Sequence, residues 1–138
     1  MAREYSNDRI VVTWEPALCI HSRFCVRGAP DSFDPDARPW ITLEGADADH
    51  IAGVVARCPS GALHVRRLDG AAEETADERP SVRTQRDGPI YVRGDLEVED
   101  ADGGVIRRDT RLALCRCGDS ANKPFCDNSH LASGFEAG

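Results

Sequence analysis

Apolar and polar residues alternate in two separate groups of short elements. In the first group, the β-branched and aromatic run Ile10–Trp14 predicts a strand. Helical spacing begins near Asp47 and stops at Pro59, and residues 63–65 predict a second strand that could pair with the first. The apolar face of the predicted helix consists of Ile51, Val54, Val55 and Cys58. This order predicts a small module of mixed α and β structure.

The second group has the two-residue period of an antiparallel sheet. Residues 89–93 and 95–99 alternate apolar and polar side chains, and residues 101–104 supply a hairpin turn. A further strand is predicted over 110–114. Residues 69–87 show no sustained apolar period and are interpreted as a linker. We therefore predict the α+β class, with domains at 1–68 and 88–138.

The charge balance restricts the partners of the chain. It carries 24 acidic and 17 basic residues and has a net charge of −7, which argues against a nucleic-acid or anionic-membrane partner. No apolar run has the length of a membrane span, and the N-terminus lacks the apolar core of a signal peptide. We expect a soluble, cytoplasmic protein.

The six cysteines divide into an upstream and a downstream set of three. In a cytoplasmic protein they are expected to be reduced and bound to metal rather than paired as disulfides. Modules this small bury little surface, so bound metal should contribute to their folding. The cysteines are Cys19, Cys25, Cys58, Cys115, Cys117 and Cys126.

The downstream set lies in residues 115–130, which also contain a histidine. Cys115 and Cys117 follow a predicted strand and should leave the same face of an extended segment. Cys126 and His130 are four residues apart, which stacks them on one face of a helical turn, and the Asp127 carboxylate can accept N–H groups at its start. Two ligand pairs should therefore converge. Three thiolates and one imidazole suit zinc by count, and an iron–sulfur cluster is the competing interpretation.

The spacing of these residues resembles the CDGSH iron–sulfur domain, the family that includes mitoNEET. The resemblance also covers Ser120 and Pro124 and implies a [2Fe–2S] cluster, a β-cap of strands beside it and an inner iron held by Cys115 and Cys117. Cys126 and His130 would then hold the outer iron. The family has Gly at the position of Asn128, and Asn is the best other residue where φ is positive.

The upstream set has the spacing Cys19-x5-Cys25, followed by Cys58 and Pro59. It resembles the divergent single-cluster ferredoxin domain over residues 10–67. Ser22 stands where an ordinary ferredoxin loop has its middle cysteine, so three cysteines remain and a [3Fe–4S] cluster is expected. The alternative is [4Fe–4S], with the fourth iron held by His21, Ser22 or an external ligand.

The sequence contains no recognisable catalytic constellation, and we expect no enzymatic activity. Two dissimilar clusters in one small acidic chain indicate an electron carrier between a reductase, such as a ferredoxin reductase, and an oxygenase or other redox enzyme. The alternatives are cluster transfer, redox or pH sensing, and a structural zinc protein. Proteins with a single CDGSH motif resemble halves of a homodimer, so the chain could form one, unless its upstream domain occupies the place of the second half.

Overall fold

The structure is a computed structural model that describes residues 2–138. Its contacts divide the chain into two compact units. One unit runs to Cys58 and includes Ala62–Glu74, and the other comprises Pro59–Gly61 and Thr75–Gly138. Each unit contains a three-stranded antiparallel sheet and short helices, so the α+β prediction is confirmed. The domain boundaries at 68 and 88 remain a prediction.

The sheet of the first unit has its strands in the order β1-β2-β3. The strands are β1 (Arg3–Ser6), β2 (Ile10–Trp14) and β3 (Leu63–Arg67). The predicted strand at 10–14 and its pairing with 63–65 are confirmed, with Val12 opposite Val65. The strand β1 was not predicted, because its side chains are largely exposed and show no apolar alternation.

A 3-10 turn (Pro16–Leu18) and two helices, α1 (Phe24–Gly28) and α2 (Ala48–Val55), lie between β2 and β3. Asp47 caps α2, because its side chain accepts hydrogen bonds from the backbone N–H groups of Asp49 and His50. A Cβ on Gly28 would lie 2.9 Å from Val54 Cγ2, so the glycine allows α1 and α2 to pack closely. Cys58 does not lie on α2 as expected. The helix ends at Val55, and Cys58 follows in a tight turn in which its N–H bonds the Val55 carbonyl.

The sheet of the second unit has the order β4-β5-β6. Its strands are β4 (Ser81–Thr84), β5 (Ile90–Glu99) and β6 (Val105–Leu114), and the short helix α3 (Ser129–Ser133) follows. The two strands predicted at 89–93 and 95–99 form one strand with a register shift, where Gly94 has φ +147°. The strand β4 lies in the stretch interpreted as a linker and was missed, because all four of its residues are exposed and give no apolar signal.

Buried apolar residues of the second unit lie at the end of β6 and in the loop that follows it. Leu112 and Ala113 are each 2% exposed, and Phe125 is 7% exposed. An isolated bridge joins Leu114 to Phe125 and draws the loop after β6 back against the strand. Over residues 2–138, the structure has no helix long and apolar enough to cross a bilayer.

Candidate metal centres

The downstream centre is built on the end of β6. The Cys115 N–H donates to the Pro124 carbonyl at 2.8 Å, and the Cys126 N–H donates to the Ala113 carbonyl at 2.9 Å. The Ser120 hydroxyl closes the loop by donating to the Phe125 carbonyl at 2.6 Å. These bonds fold the chain back on itself, so both ligand pairs lie at the same end of the sheet.

The downstream donors form two pairs. The Sγ atoms of Cys115 and Cys117 are 3.8 Å apart, and Cys126 Sγ lies 3.7 Å from His130 Nδ1. Two sulfur ligands on one tetrahedral ion, each about 2.3 Å from the metal, lie about 3.8 Å apart. For one sulfur and one nitrogen the corresponding separation is about 3.6 Å. Each pair therefore has the spacing of two ligands on a single ion.

Among residues 2–138, no group of three or more His, Cys, Asp or Glu side chains lies close enough to hold one metal ion. The thiols of the two pairs still influence each other, because Cys115 and Cys117 contribute to raising the pKa of Cys126. The arrangement is therefore two neighbouring pairs rather than one set of four around a point.

Asp127 joins the loop to the start of α3. Its Oδ1 accepts hydrogen bonds from the Ser129 N–H at 3.0 Å and the Ser129 hydroxyl at 2.5 Å, and its Oδ2 accepts from the Ala121 N–H at 2.8 Å. The Ser129 hydroxyl, followed by the Ala121 N–H, lowers the pKa of Asp127 to about 2. The carboxylate accepts N–H groups as predicted. The helix itself begins only at Ser129, so Cys126 precedes it rather than lying on it.

Asn128 has the left-handed conformation expected of it, with φ 71°. Its side chain makes no capping hydrogen bond to α3. The Asn128 N–H lies 3.4 Å from Cys126 Sγ and donates to it. A positive φ is sufficient to account for glycine in the related sequences and for asparagine here.

Backbone N–H groups also surround the other two sulfurs, which the sequence analysis did not anticipate. The N–H of Gly118 donates to Cys115 Sγ at 3.3 Å, and the N–H of Asp119 donates to Cys117 Sγ at 3.4 Å. Burial acts to raise the pKa of Cys115, but the backbone N–H groups of Ser120 and Gly118, together with Cys117 and Lys123, lower it overall. The loop therefore favours a thiolate at this position, which is the form that binds metal.

Burial differs between the two pairs. Cys126 is 4% exposed and His130 is 7% exposed, whereas Cys115 and Cys117 are partly exposed. Burial is also the largest cause of the raised pKa of Cys126. The resemblance implied that Cys115 and Cys117 hold the inner iron. In the structure, these two cysteines are the more exposed of the two pairs. The reason is that the backbone N–H of Cys126 is hydrogen-bonded to Ala113 on β6, whereas Cys115 and Cys117 begin the loop that leaves this strand.

Arg116 is a positioning residue that sequence reasoning missed. Its guanidinium donates to the carbonyls of Gln85 at 2.7 Å and Gly88 at 2.9 Å, and to that of Gly138 at 3.0 Å. It also lies over the Phe135 ring, 5.2 Å from the centroid. The side chain fixes the segment between Cys115 and Cys117 to the β4–β5 turn and to the C-terminal residues. No local sequence pattern predicts these contacts, because the accepting carbonyls lie more than twenty residues away along the chain.

The upstream centre collects cysteines from three elements. Cys19 follows the 3-10 turn, Cys25 lies on α1, and Cys58 follows α2. Burial raises the pKa of Cys25 to about 11, and Cys58 and then Cys19 add to the shift. The structure therefore brings these three thiols into one neighbourhood, although they are far apart in sequence. Within residues 2–138 no disulfide joins any of the six cysteines.

The loop between Cys19 and Cys25 has an unusual backbone. His21 and Arg23 have φ values of 55° and 69°, so two non-glycine residues in the left-handed region flank Ser22. His21 is exposed, and its Nδ1 lies 3.8 Å from Cys19 Sγ. Ser22 is only partly exposed. His21 is thus a direct neighbour of a candidate ligand.

Comparison with known proteins identifies both modules. Residues 5–68 match the family model described as a divergent 4Fe-4S mono-cluster, and residues 87–131 match an iron-binding zinc finger of CDGSH type. The chain belongs to the divergent 4Fe-4S mono-cluster family and carries a CDGSH domain after it. The protein YjdI of Escherichia coli strain K12, which is uncharacterized, is 39% identical over 64 residues, or 46% of this chain and 84% of YjdI. YjdI of Escherichia coli O157:H7 matches to the same extent.

Proposed function

We propose that the chain is a two-cluster iron–sulfur electron carrier that passes electrons between a reductase and another redox enzyme, such as an oxygenase. The observation that carries the proposal is the pairing of the downstream donors, at 3.8 and 3.7 Å. The family matches support iron–sulfur binding in both modules. The net charge of −7 would steer the carrier toward basic surfaces on its partners and make association sensitive to salt.

The proposed downstream cofactor is a [2Fe–2S] cluster held by Cys115, Cys117, Cys126 and His130. Such a cluster places two protein ligands on each of two irons. The two donors within each pair have the separation of two ligands on one iron. A structural zinc ion would instead need all four donors around one point. The N–H groups that donate to the three sulfurs would stabilise the added electron, which raises the reduction potential.

The proposed upstream cofactor is a [3Fe–4S] cluster held by Cys19, Cys25 and Cys58. Each iron of a cubane takes one protein ligand, so two ligands of a cubane lie on different irons. His21 Nδ1 and Cys19 Sγ are 3.8 Å apart, which is instead the separation of two ligands on the same ion. This distance favours His21 as a hydrogen-bond donor to the Cys19 sulfur. A [4Fe–4S] cluster with an external ligand, Ser22 or His21 on the fourth iron is the alternative, and the description of the matched family favours it.

A second candidate function is transfer of the downstream cluster to other proteins, with release set by redox state or pH. The partial exposure of Cys115 and Cys117 favours it, because an acceptor thiol could approach the irons from that side. His130 adds sensitivity to acid, since protonation competes with metal for the imidazole.

The test begins with protein purified without oxygen and analysed for iron, zinc and acid-labile sulfide together with its visible spectrum. We expect iron, sulfide and a coloured protein. Rapid reduction by a ferredoxin reductase, followed by oxidation by a second redox protein, would support the carrier. Faster delivery of the cluster to an apo-ferredoxin than of electrons would favour transfer. A colourless protein loaded with zinc would overturn both functions.

A further inference from the structure

A cavity of about 390 Å³ opens in the first unit beside the upstream metal centre. Its lining residues are Arg3, Tyr5, Trp14, Cys19, His21, Pro35, Arg38, Pro39 and Trp40. Cys19 and His21 form one wall, whereas Cys25 and Cys58 do not line it. A cluster must contact all three cysteines, so this cavity is a neighbouring space rather than the cluster's own volume.

The cavity wall carries positive charge in an acidic chain. Arg3 lies over the ring of Trp14, with its Cζ 5.6 Å from the centroid. The Arg38 Nη1 donates to the carbonyls of Pro35 at 2.9 Å and Ala37 at 2.6 Å, which holds the guanidinium in place. Among the residues 2–138 that the structure describes, no Asp or Glu lines the cavity. The charge of the site therefore selects for an anion.

Two buried hydrogen-bond donors belong to the same wall. The indole Nε1 atoms of Trp14 and Trp40 are buried without a hydrogen-bond partner. Among residues 2–138, no other buried side-chain nitrogen or oxygen atom lacks a partner. A buried donor without an acceptor costs on the order of 1–3 kcal/mol, so such groups usually have a role. The two rings pack edge to face, with centroids 4.9 Å apart. Both tryptophans line the cavity, so an acceptor bound there would lie beside these donors.

We propose that this cavity binds a small aromatic carboxylate, a function beyond the proposed electron carriage. The carboxylate would pair with Arg3 and Arg38 and accept from an indole N–H, while its ring would lie against the tryptophan and proline side chains. The volume lies within the range of small-ligand sites, and a mostly apolar wall with a few polar groups is typical of them. Because Cys19 forms part of the wall, a bound ligand would also alter the surroundings of the upstream cluster.

The chain offers a direct probe, because its two tryptophans are Trp14 and Trp40. Benzoate should change the tryptophan fluorescence of the full, cluster-loaded chain in a saturable manner, and calorimetric titration should give the same affinity. Acetate tests the carboxylate alone, benzyl alcohol tests the ring alone, and inorganic phosphate tests a general anion. We expect each of these three to bind at least about tenfold more weakly than benzoate, since each lacks one of the two interactions.

Three variants locate the site. Arg38→Ala and Trp40→Phe should each weaken benzoate binding by about fivefold or more, because each loses a donor, and Arg38→Lys should bind with intermediate affinity. Arg66→Ala is the matched control, since Arg66 is exposed on β3 and does not line the cavity. The visible spectrum verifies that each variant has retained its clusters. Absence of saturable binding, equal binding of acetate and benzoate, or an equal effect of Arg66→Ala would overturn the proposal.

Discussion

The two metal centres obtain their ligands in different ways. The downstream centre takes all four donors from residues 115–130, and local hydrogen bonds from Ser120 and Asp127 close the loop around them. The upstream centre takes one cysteine after a 3-10 turn, one on α1 and one beyond α2, so its assembly depends on the packing of a whole unit. The first site is encoded locally, and the second depends on the fold.

The largest effect is expected from removing one ligand at each site. Cys117→Ser should abolish the downstream cluster and leave the upstream signal intact, because its donors belong to one local loop. Cys25→Ser should abolish the upstream cluster and also loosen the first unit, since metal then no longer links α1 to the other elements. Iron content, visible spectra and thermal unfolding of both variants measure this. Equal loss of both clusters in either variant would show that the centres are not independent.

Ser22→Cys is expected to change the type of the upstream cluster. It restores a thiolate in the loop where three cysteines are otherwise available, so the spectrum of a [4Fe–4S] cluster should replace that of [3Fe–4S]. Electron paramagnetic resonance of the oxidised protein measures the change, and Ser22→Ala is the matched control. A wild-type chain that is already [4Fe–4S] after strictly anaerobic purification would contradict the three-cysteine assignment.

His130→Cys is expected to shift the reduction potential of the downstream cluster. Replacing a neutral imidazole by a thiolate adds negative charge to the ligands, so the potential should fall by on the order of 100 mV. Cluster loss in mild acid should also slow, because the variant has no imidazole ligand for which protons can compete with the metal. A spectroelectrochemical titration measures the potential, with the upstream cluster as an internal control. An unchanged potential would mean that His130 is not a ligand.

The hydrogen bonds explain which parts of the sites could be predicted from sequence. The grouping of Cys115, Cys117, Cys126 and His130 could be predicted because a short motif fixes both their spacing and the turns between them. Asn128 was likewise predicted to accept a positive φ, and it does. The grouping of Cys19 and Cys25 with Cys58 could be inferred only through a family resemblance, because no local rule places residues so far apart together.

The features that were missed depend on neighbours distant in sequence. Arg116 is defined by carbonyl groups about thirty residues upstream and by the C-terminal residues, which no local pattern reveals. The strand β4 gives no apolar signal, because it is an exposed edge strand. The low exposure of Cys126 could not be predicted for a similar reason, since it accompanies a backbone hydrogen bond to Ala113 on β6.

Asp127→Asn should have a moderate effect confined to the downstream site. The substitution removes the charge that the Ser129 hydroxyl and the Ala121 N–H stabilise, so cluster loss should become about fivefold faster. The pKa of Asp127 is lowered to about 2 from an ordinary 3.8, so its contribution is fully present above pH 3.8 and is lost as the pH falls toward 2. The variant should therefore differ from the wild type at pH 6 in the rate of bleaching. Asp119→Asn is the control, because Asp119 is exposed and contacts Cys117 through its backbone.

Asn128→Gly should have the smallest effect. Glycine adopts φ 71° without strain, and the backbone N–H that donates to Cys126 is retained, so stability should change by less than about 1 kcal/mol. Asn128→Val should destabilise the second unit by about 1–2 kcal/mol, because a β-branched residue is strained there. Thermal unfolding of the two variants measures the difference. Equal stability would mean that the backbone conformation at this position differs from the one described.

The most direct test of the two-cluster account is electron paramagnetic resonance of one anaerobic sample before and after reduction. The oxidised protein should show the signal of a [3Fe–4S] cluster from the upstream centre. After reduction, a [2Fe–2S] signal should appear, and it should change in His130→Cys while the upstream signal does not. A sample with no signal in either state, together with zinc in place of iron, would contradict the account.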